Sequence, residues 1–253
     1  SGEGDRMIKT VVKAAALAAA TLMASVVLAE SGHVELQEAH VDLSDRASLQ
    51  RGARTFFNYC VGCHSAEYMR YSRLAKDLEI PPEVVEDNLM FTTDKIGETV
   101  KVAMQPNDAV KWFGVVPPDL SVVARSRGPD WIYSFLLSYY QDESKPTGVN
   151  NSVFVGTAMP HVLASLQGVN RRVEHHGEGD HGHAEVTYET AIPGTMSEGQ
   201  YRQTVGDLVN YLVYMGEPAK LVRGTVGRWV LGFLLILLIA TYVLKKEYWR
   251  DVH

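Results

Sequence analysis

Cys60-Val61-Gly62-Cys63-His64 is the stretch that decides the fold of this chain. Two thiols three positions apart at the end of a helix can each form a thioether with one vinyl group of a single haem. The adjacent imidazole then falls under the iron as an axial ligand, a role that suits a neutral ring nitrogen. The pattern C-x-x-C-H is accordingly a c-type haem attachment signature. Cys60 and Cys63 are also the only cysteines in the chain. A redox dithiol does not require the histidine that follows. A structural zinc site needs four closed ligands, and no second Cys or His pair stands at the usual spacing. One covalently bound haem c is therefore expected, held by Cys60 and Cys63 with His64 on the iron.

Outward from the motif the pattern is largely helical. Leu49, Ala53, Phe56 and Phe57 recur at helical spacing before Cys60, and Gly52 leaves room there for close approach by another helix. Pro129 suits a first helical position, followed by a stripe of Trp131, Phe135, Leu136 and Tyr139. Ser197 with Gln200 forms a capping-box pattern. Val205, Leu208, Val209 and Leu212 then make an apolar face that Gly216 and Pro218 terminate. The middle reads as loop-rich, with turn signals at Ile80-Pro81-Pro82, Gln105-Pro106-Asn107 and Val116-Pro117-Pro118-Asp119. The expected fold is mainly α: a cytochrome c fold with loop insertions, in which the first and last helices cross beside the haem, plus one C-terminal transmembrane helix. A Gly-rich acidic run from Glu174 to Glu185 carries His175, His176, His181 and His183. It reads as a solvated loop, with metal binding as the alternative.

Two segments concern the membrane. After the candidate start Met7 come Lys9 and Lys13, an Ala/Leu/Val run and Val27-Leu28-Ala29, the layout of a secretory signal cleaved after Ala29. From Trp229 to Leu244 sixteen residues pass without a charge, extended to spanning length if Arg228 snorkels. Lys245, Lys246 and Arg250 follow, with Tyr248 and Trp249 as interfacial aromatics. The expected organisation is an N-terminal extension and signal over 1–29, an exported haem domain over 30–219, an anchor over 220–244 and a cytoplasmic tail over 245–253. That places the protein in a bacterial inner membrane with its haem domain on the periplasmic side. The exported part is acidic, with 26 acidic against 15 basic residues between Glu30 and Ala219. This excess serves either solubility or the docking of a basic partner. No basic stripe marks a nucleic-acid surface.

A second axial ligand decides between electron transfer and small-molecule chemistry. Eight methionines are present. Met7 and Met23 fall in the signal, Met69 is too close to His64 in sequence, and Met215 ends the last soluble helix. Met90, Met104, Met159 and Met196 stay in contention, with His161 as an outsider. Met159 lies in a turn-like stretch, Gly156-Thr157-Ala158-Met159-Pro160.

The chain resembles the cytochrome c1 family, the haem-bearing subunits of the ubiquinol–cytochrome c reductase (bc1) complex. The resemblance runs through Arg51-Gly52-Ala53 and Tyr59-Cys60-Val61-Gly62-Cys63-His64-Ser65, then Pro117-Pro118-Asp119-Leu120-Ser121 and Arg125. It continues through Ala158-Met159-Pro160, Thr195-Met196-Ser197 and Gly216-Glu217-Pro218 before the anchor. It implies that His64 and Met159 ligate the iron, that Arg125 pairs with a haem propionate, and that Pro118 packs beside the haem. It further implies a carrier that takes single electrons from the Rieske iron–sulfur subunit and passes them to a soluble cytochrome c, with quinol oxidation left to the cytochrome b subunit and no catalytic side chain of its own. Trp112-Phe113-Gly114 departs from the Asn-Asn-Gly common in mitochondrial members, and the His-rich run is an unusual insertion. The alternatives are a membrane-anchored cytochrome c subunit of a terminal oxidase and, in a different class, a haem-based sensor or peroxidase-like enzyme.

Overall fold

A computed structural model describes residues 35–175 and 185–251. The expected signal segment, its cleavage point and residues 176–184 of the His-rich run lie outside the described residues.

The haem motif ends the first described helix, α1 (Arg46–Tyr59). Asp45 caps it by accepting the Ser48 N–H at 3.0 Å, which satisfies one of the free donors of the first turn. Leu49, Ala53, Phe56 and Phe57 are all buried, as their spacing predicts. A second long helix, α8 (Glu198–Gly216), begins with the expected box: Ser197 Oγ accepts from Gln200 N, and Gln200 Oε1 accepts from Ser197 N. Its residues Val205, Leu208, Val209 and Leu212 are buried.

These two helices pack across each other at Gly52. A Cβ placed there would lie 2.0 Å from the Asp207 carbonyl oxygen and 2.7 Å from Tyr211 Cβ. The adjacent Arg51 forks onto the Asp207 carboxylate through Nε (2.6 Å) and Nη2 (2.9 Å). Asn210 donates to Asp42 O at 2.7 Å and to Ser48 Oγ at 3.1 Å. Polar anchors thus flank an apolar seam in which the Phe56 ring meets Tyr211 at 5.5 Å. Gly52→Ala should force the helices apart and lower stability by about 1–3 kcal/mol, the usual range for overpacking. The measurement is the thermal midpoint of the haem-loaded protein, and an unchanged midpoint would show that the crossing yields at no cost.

Between the long helices run short elements. β1 (Ala66–Arg70) pairs antiparallel with β2 (Thr99–Val100). The helices α2 (Tyr71–Asp77), α3 (Pro82–Leu89), α4 (Pro106–Phe113), α5 (Val123–Ser126) and α6 (Pro129–Leu137) are each of nine residues or fewer. Pro82 and Pro106, read from the sequence as turn signals, each start a helix, because a missing N–H costs nothing in a first turn. Pro129 does the same for α6 as expected. The stripe expected after it is cut short: α6 ends at Leu137, and Tyr139 stands on a strand. α5 and α6 pack on α8, and the Tyr201 hydroxyl donates to Leu136 O at 2.8 Å.

A four-stranded sheet adds to the mainly α fold. β3 (Tyr139–Gln141) lies between β4 (Val149–Asn151), antiparallel to it, and β5 (Gly168–His175), parallel to it. The helical turn α7 (Ala164–Gln167) leads into β5, and β6 (Glu185–Pro193) closes the order β4-β3-β5-β6. β5 and β6 pair antiparallel from Gly168↔Pro193 to His175↔Glu185, with one register shift between Val169 and Asn170, so the segments that flank the expected His-rich loop form a ribbon. Arg171, Arg172, Tyr188, Glu189 and Ile192 on it are exposed, and strands with no buried face carry little apolar alternation to read.

α9 (Lys220–Tyr248) is the C-terminal helix. Its 29 residues reach about 43 Å at 1.5 Å each, beyond the roughly 30 Å of a bilayer core. Its apolar side chains are exposed all round, and among the described residues it is the one helix long and apolar enough to cross a membrane. The helix continues past Leu244 through Lys245, Lys246 and Tyr248.

Candidate haem-binding site

The turn that ends α1 brings the motif together. Cys63 N and His64 N both donate to Cys60 O, at 3.1 and 2.9 Å, so the chain continues to coil beyond Tyr59. Cys60, Cys63 and His64 then share one cavity of about 460 Å³, within the range of cofactor sites. The two thiols are not joined to each other. Burial pushes the Cys60 thiol up to about 12 and raises that of Cys63 as well, so both are protonated thiols at neutral pH.

His64 is buried, and its Nδ1 lies 2.7 Å from the Pro118 carbonyl oxygen. A carbonyl only accepts, so Nδ1 carries the proton and Nε2 keeps its lone pair for a metal. Burial holds the ring below its ordinary pKa, against the smaller upward pull of that bond and of Asp119, and this keeps the imidazole neutral. The Pro118 carbonyl is itself fixed by its neighbour. The Asp119 carboxylate accepts from Ser65 Oγ (2.7 Å), Glu67 N (2.8 Å) and Ser121 N (2.8 Å), while Leu120 N donates to Ser65 O at 2.9 Å. Burial raises the Asp119 pKa, but the hydrogen bonds from Ser121, Glu67 and Ser65 outweigh it and leave the group below its usual value. The Pro-Pro-Asp-Leu-Ser element therefore latches the loop behind the haem motif and orients its histidine. Asp119 was given no role from the sequence, where it stands in a turn signal and in the stretch that carries the family resemblance.

Met159 lines the same cavity, reached by a loop tied down through Asn150 and Asn151. Asn151 Oδ1 accepts from Val153 N (2.9 Å) and Phe154 N (3.0 Å), and Asn150 Oδ1 accepts from Gly156 N at 2.8 Å. The other methionines in contention, Met90, Met104 and Met196, are not on this wall, and neither is His161. Pro118 is on it. Arg125 is not: its stem packs against the end of α8, where a Cβ on Gly216 would lie 3.4 Å from its Cγ. Arg127, two residues on, does line the cavity, with its guanidinium carbon 5.0 Å from the Trp131 ring centroid and 5.8 Å from that of Phe154. Phe113 contributes an aromatic wall.

The residues fit a haem c. Two free thiols, a neutral imidazole with an open Nε2 and one soft thioether share an otherwise mainly apolar pocket. Among the described residues no group of three or more His, Cys, Asp or Glu side chains could hold a metal ion on its own. Fold and site together define a c-type cytochrome with a single C-terminal anchor helix. The sequence pattern of the Cytochrome C1 family matches residues 37–252. The chain is 48% identical over 233 residues to cytochrome c1 of Allochromatium vinosum, covering 92% of this chain and 96% of that one. It is 46% identical over 235 residues to a protein of Nitrosomonas europaea named ammonia monooxygenase gamma subunit, with the same coverage. Cytochrome c1 of Rhodospirillum rubrum is 28% identical over 297 residues, covering 96% of this chain and 98% of that one. The chain belongs to the cytochrome c1 family and carries one covalently bound haem c.

Proposed function

We propose that this chain is the c-type cytochrome of a quinol–cytochrome c reductase (bc1) complex. It takes single electrons from a Rieske iron–sulfur subunit and passes them to a soluble cytochrome c, while a cytochrome b subunit carries the quinol chemistry. The observation that carries this proposal is the pairing of His64 with Met159 on one mainly apolar cavity. Bound there, the haem supplies a one-electron iron couple whose potential Met/His ligation raises. The protein's own work is to attach and orient: Cys60 and Cys63 would hold the haem covalently, His64 and Met159 would ligate its iron, and the Pro118 carbonyl orients His64. No side chain acts as acid, base or nucleophile. The anchor helix over Lys220–Tyr248 fits a bilayer position, in a bacterial inner membrane with residues 30–219 on the periplasmic side and the residues from 245 onward inside.

A second reading follows the name of the Nitrosomonas europaea relative and makes the chain a subunit of an ammonia-oxidising enzyme. Purification from membranes in mild detergent distinguishes the two. A cytochrome b and a Rieske protein should come with the chain in stoichiometric amounts. Recovery with monooxygenase or terminal-oxidase subunits instead would overturn the assignment.

For the cation that would face a haem carboxylate, the cavity lining favours a neighbour of Arg125. The place of Arg127 on the cavity wall supports it, rather than Arg125, as the cation facing a haem carboxylate. A cation near the iron disfavours the oxidised state. Arg127→Gln should therefore lower the midpoint potential more than Arg125→Gln does. The reverse order in a redox titration would return the role to Arg125.

A further inference from the structure

The backbone of Met159 is held at both of its polar atoms. Its N–H donates to Thr157 Oγ1 at 3.3 Å, and its carbonyl accepts from the Tyr139 hydroxyl at 3.2 Å. Both partners are buried, Tyr139 at 2% and Thr157 at 6% exposure. Tyr139 is itself fixed from two sides. Its ring stacks on His161, two residues beyond Met159, with centroids 4.7 Å apart and planes 5° apart. It also meets Phe135 edge-on at 5.3 Å, and Phe135 lines the cavity. The first residue of β3 is thus wedged between the cavity wall and the loop that supplies the thioether, twenty residues away in sequence.

We propose that Tyr139 is a positioning residue for the Met159 ligand, its hydroxyl fixing the ligand loop so that the thioether keeps its place against competing ligands. This rests on Met159 being an iron ligand. A neutral thioether on a surface loop keeps its place only if the loop is ordered beforehand, because each freed backbone residue gains conformational entropy that opposes religation. Groups that orient a metal ligand without touching the metal are for this reason part of the site.

The test compares Tyr139→Phe with Tyr201→Phe in the haem-loaded full chain. Each variant removes one buried hydroxyl that donates to a carbonyl, but Tyr201 bonds Leu136 O at 2.8 Å and not the backbone of Met159. The readouts are carbon monoxide affinity of the reduced protein and the sulfur-to-iron charge-transfer band of the oxidised protein. Tyr139→Phe should raise carbon monoxide affinity about two- to tenfold, the equilibrium factor of one net hydrogen bond. The band should also be lost at lower denaturant concentration than in the parent. Tyr201→Phe should leave carbon monoxide affinity at the parent value. Equal affinity in Tyr139→Phe and the parent, or equal loosening in both variants, would overturn the proposal. If Tyr139→Phe does not accumulate, Thr157→Val gives the same reading: it should raise the affinity, and Thr157→Ser should restore it. Unchanged affinity in Thr157→Val would overturn the proposal. Met159→Leu in the same series separates the two claims. Persistence of the band there removes Met159 as the ligand and the positioning role with it. Loss of the band there, with Tyr139→Phe unchanged, removes only the positioning role.

Discussion

Replacing Cys60 and Cys63 together with alanine abolishes covalently bound haem. No other thiol exists in the chain to form a thioether, and both residues line the same cavity as His64 and Met159. The fold should suffer as well. Without haem the largely apolar walls of a cavity of about 460 Å³ lose the partner they pack against. The double variant should therefore lose haem staining after denaturing electrophoresis and accumulate poorly. Single Cys60→Ala or Cys63→Ala should retain one thioether and some stained product. Haem that survives denaturation in the double variant would contradict the attachment chemistry outright.

What the sequence made legible follows from where each feature's cause lies. The helix before the motif, the box at Ser197 and the anchor are set by local spacing, and local spacing is visible in a chain. Gly52 was legible for a related reason: a glycine inside a good helix costs stability unless something must approach it. The ribbon of β5 and β6 was not legible, because its strands hide no face and so carry no period-two signal. Tyr139 was read as the end of a helical stripe. The helix stops two residues earlier, where the chain turns into a strand, and a stripe alone cannot show that. Arg125 and Arg127 differ by two positions on one short turn, and which of them meets the cavity depends on packing against α8. Pro118 was expected to pack by the haem. It does line the cavity, but its carbonyl also accepts a hydrogen bond from His64 Nδ1, a backbone function that residue identity does not encode.

The largest functional change should come from Met159→Leu. Leucine fills much of the same volume without sulfur, so the wall stays apolar and the thioethers at Cys60 and Cys63 are untouched. The Tyr139 and Thr157 bonds are to the backbone of residue 159 and survive the change. Loss of the thioether leaves His64 as the one protein ligand on this wall, since Met90, Met104, Met196 and His161 are not on it. A soft thioether favours the reduced iron, so the midpoint potential should fall by a sizeable part of the roughly 0.8 V that axial ligands span. The sulfur-to-iron absorption of the oxidised protein should vanish, and the reduced protein should bind carbon monoxide readily where the parent does not. Electron uptake from the proposed Rieske donor should slow as the driving force shrinks. The parent's own behaviour decides between classes of protein. A parent that already binds carbon monoxide freely has an open iron position, which belongs to a sensor or a peroxidase-like enzyme and not to an electron carrier. A variant that keeps both its potential and its absorption band would pass the ligand role to another methionine, and the loop carrying Met104 or Met196 would then have to move to reach the cavity.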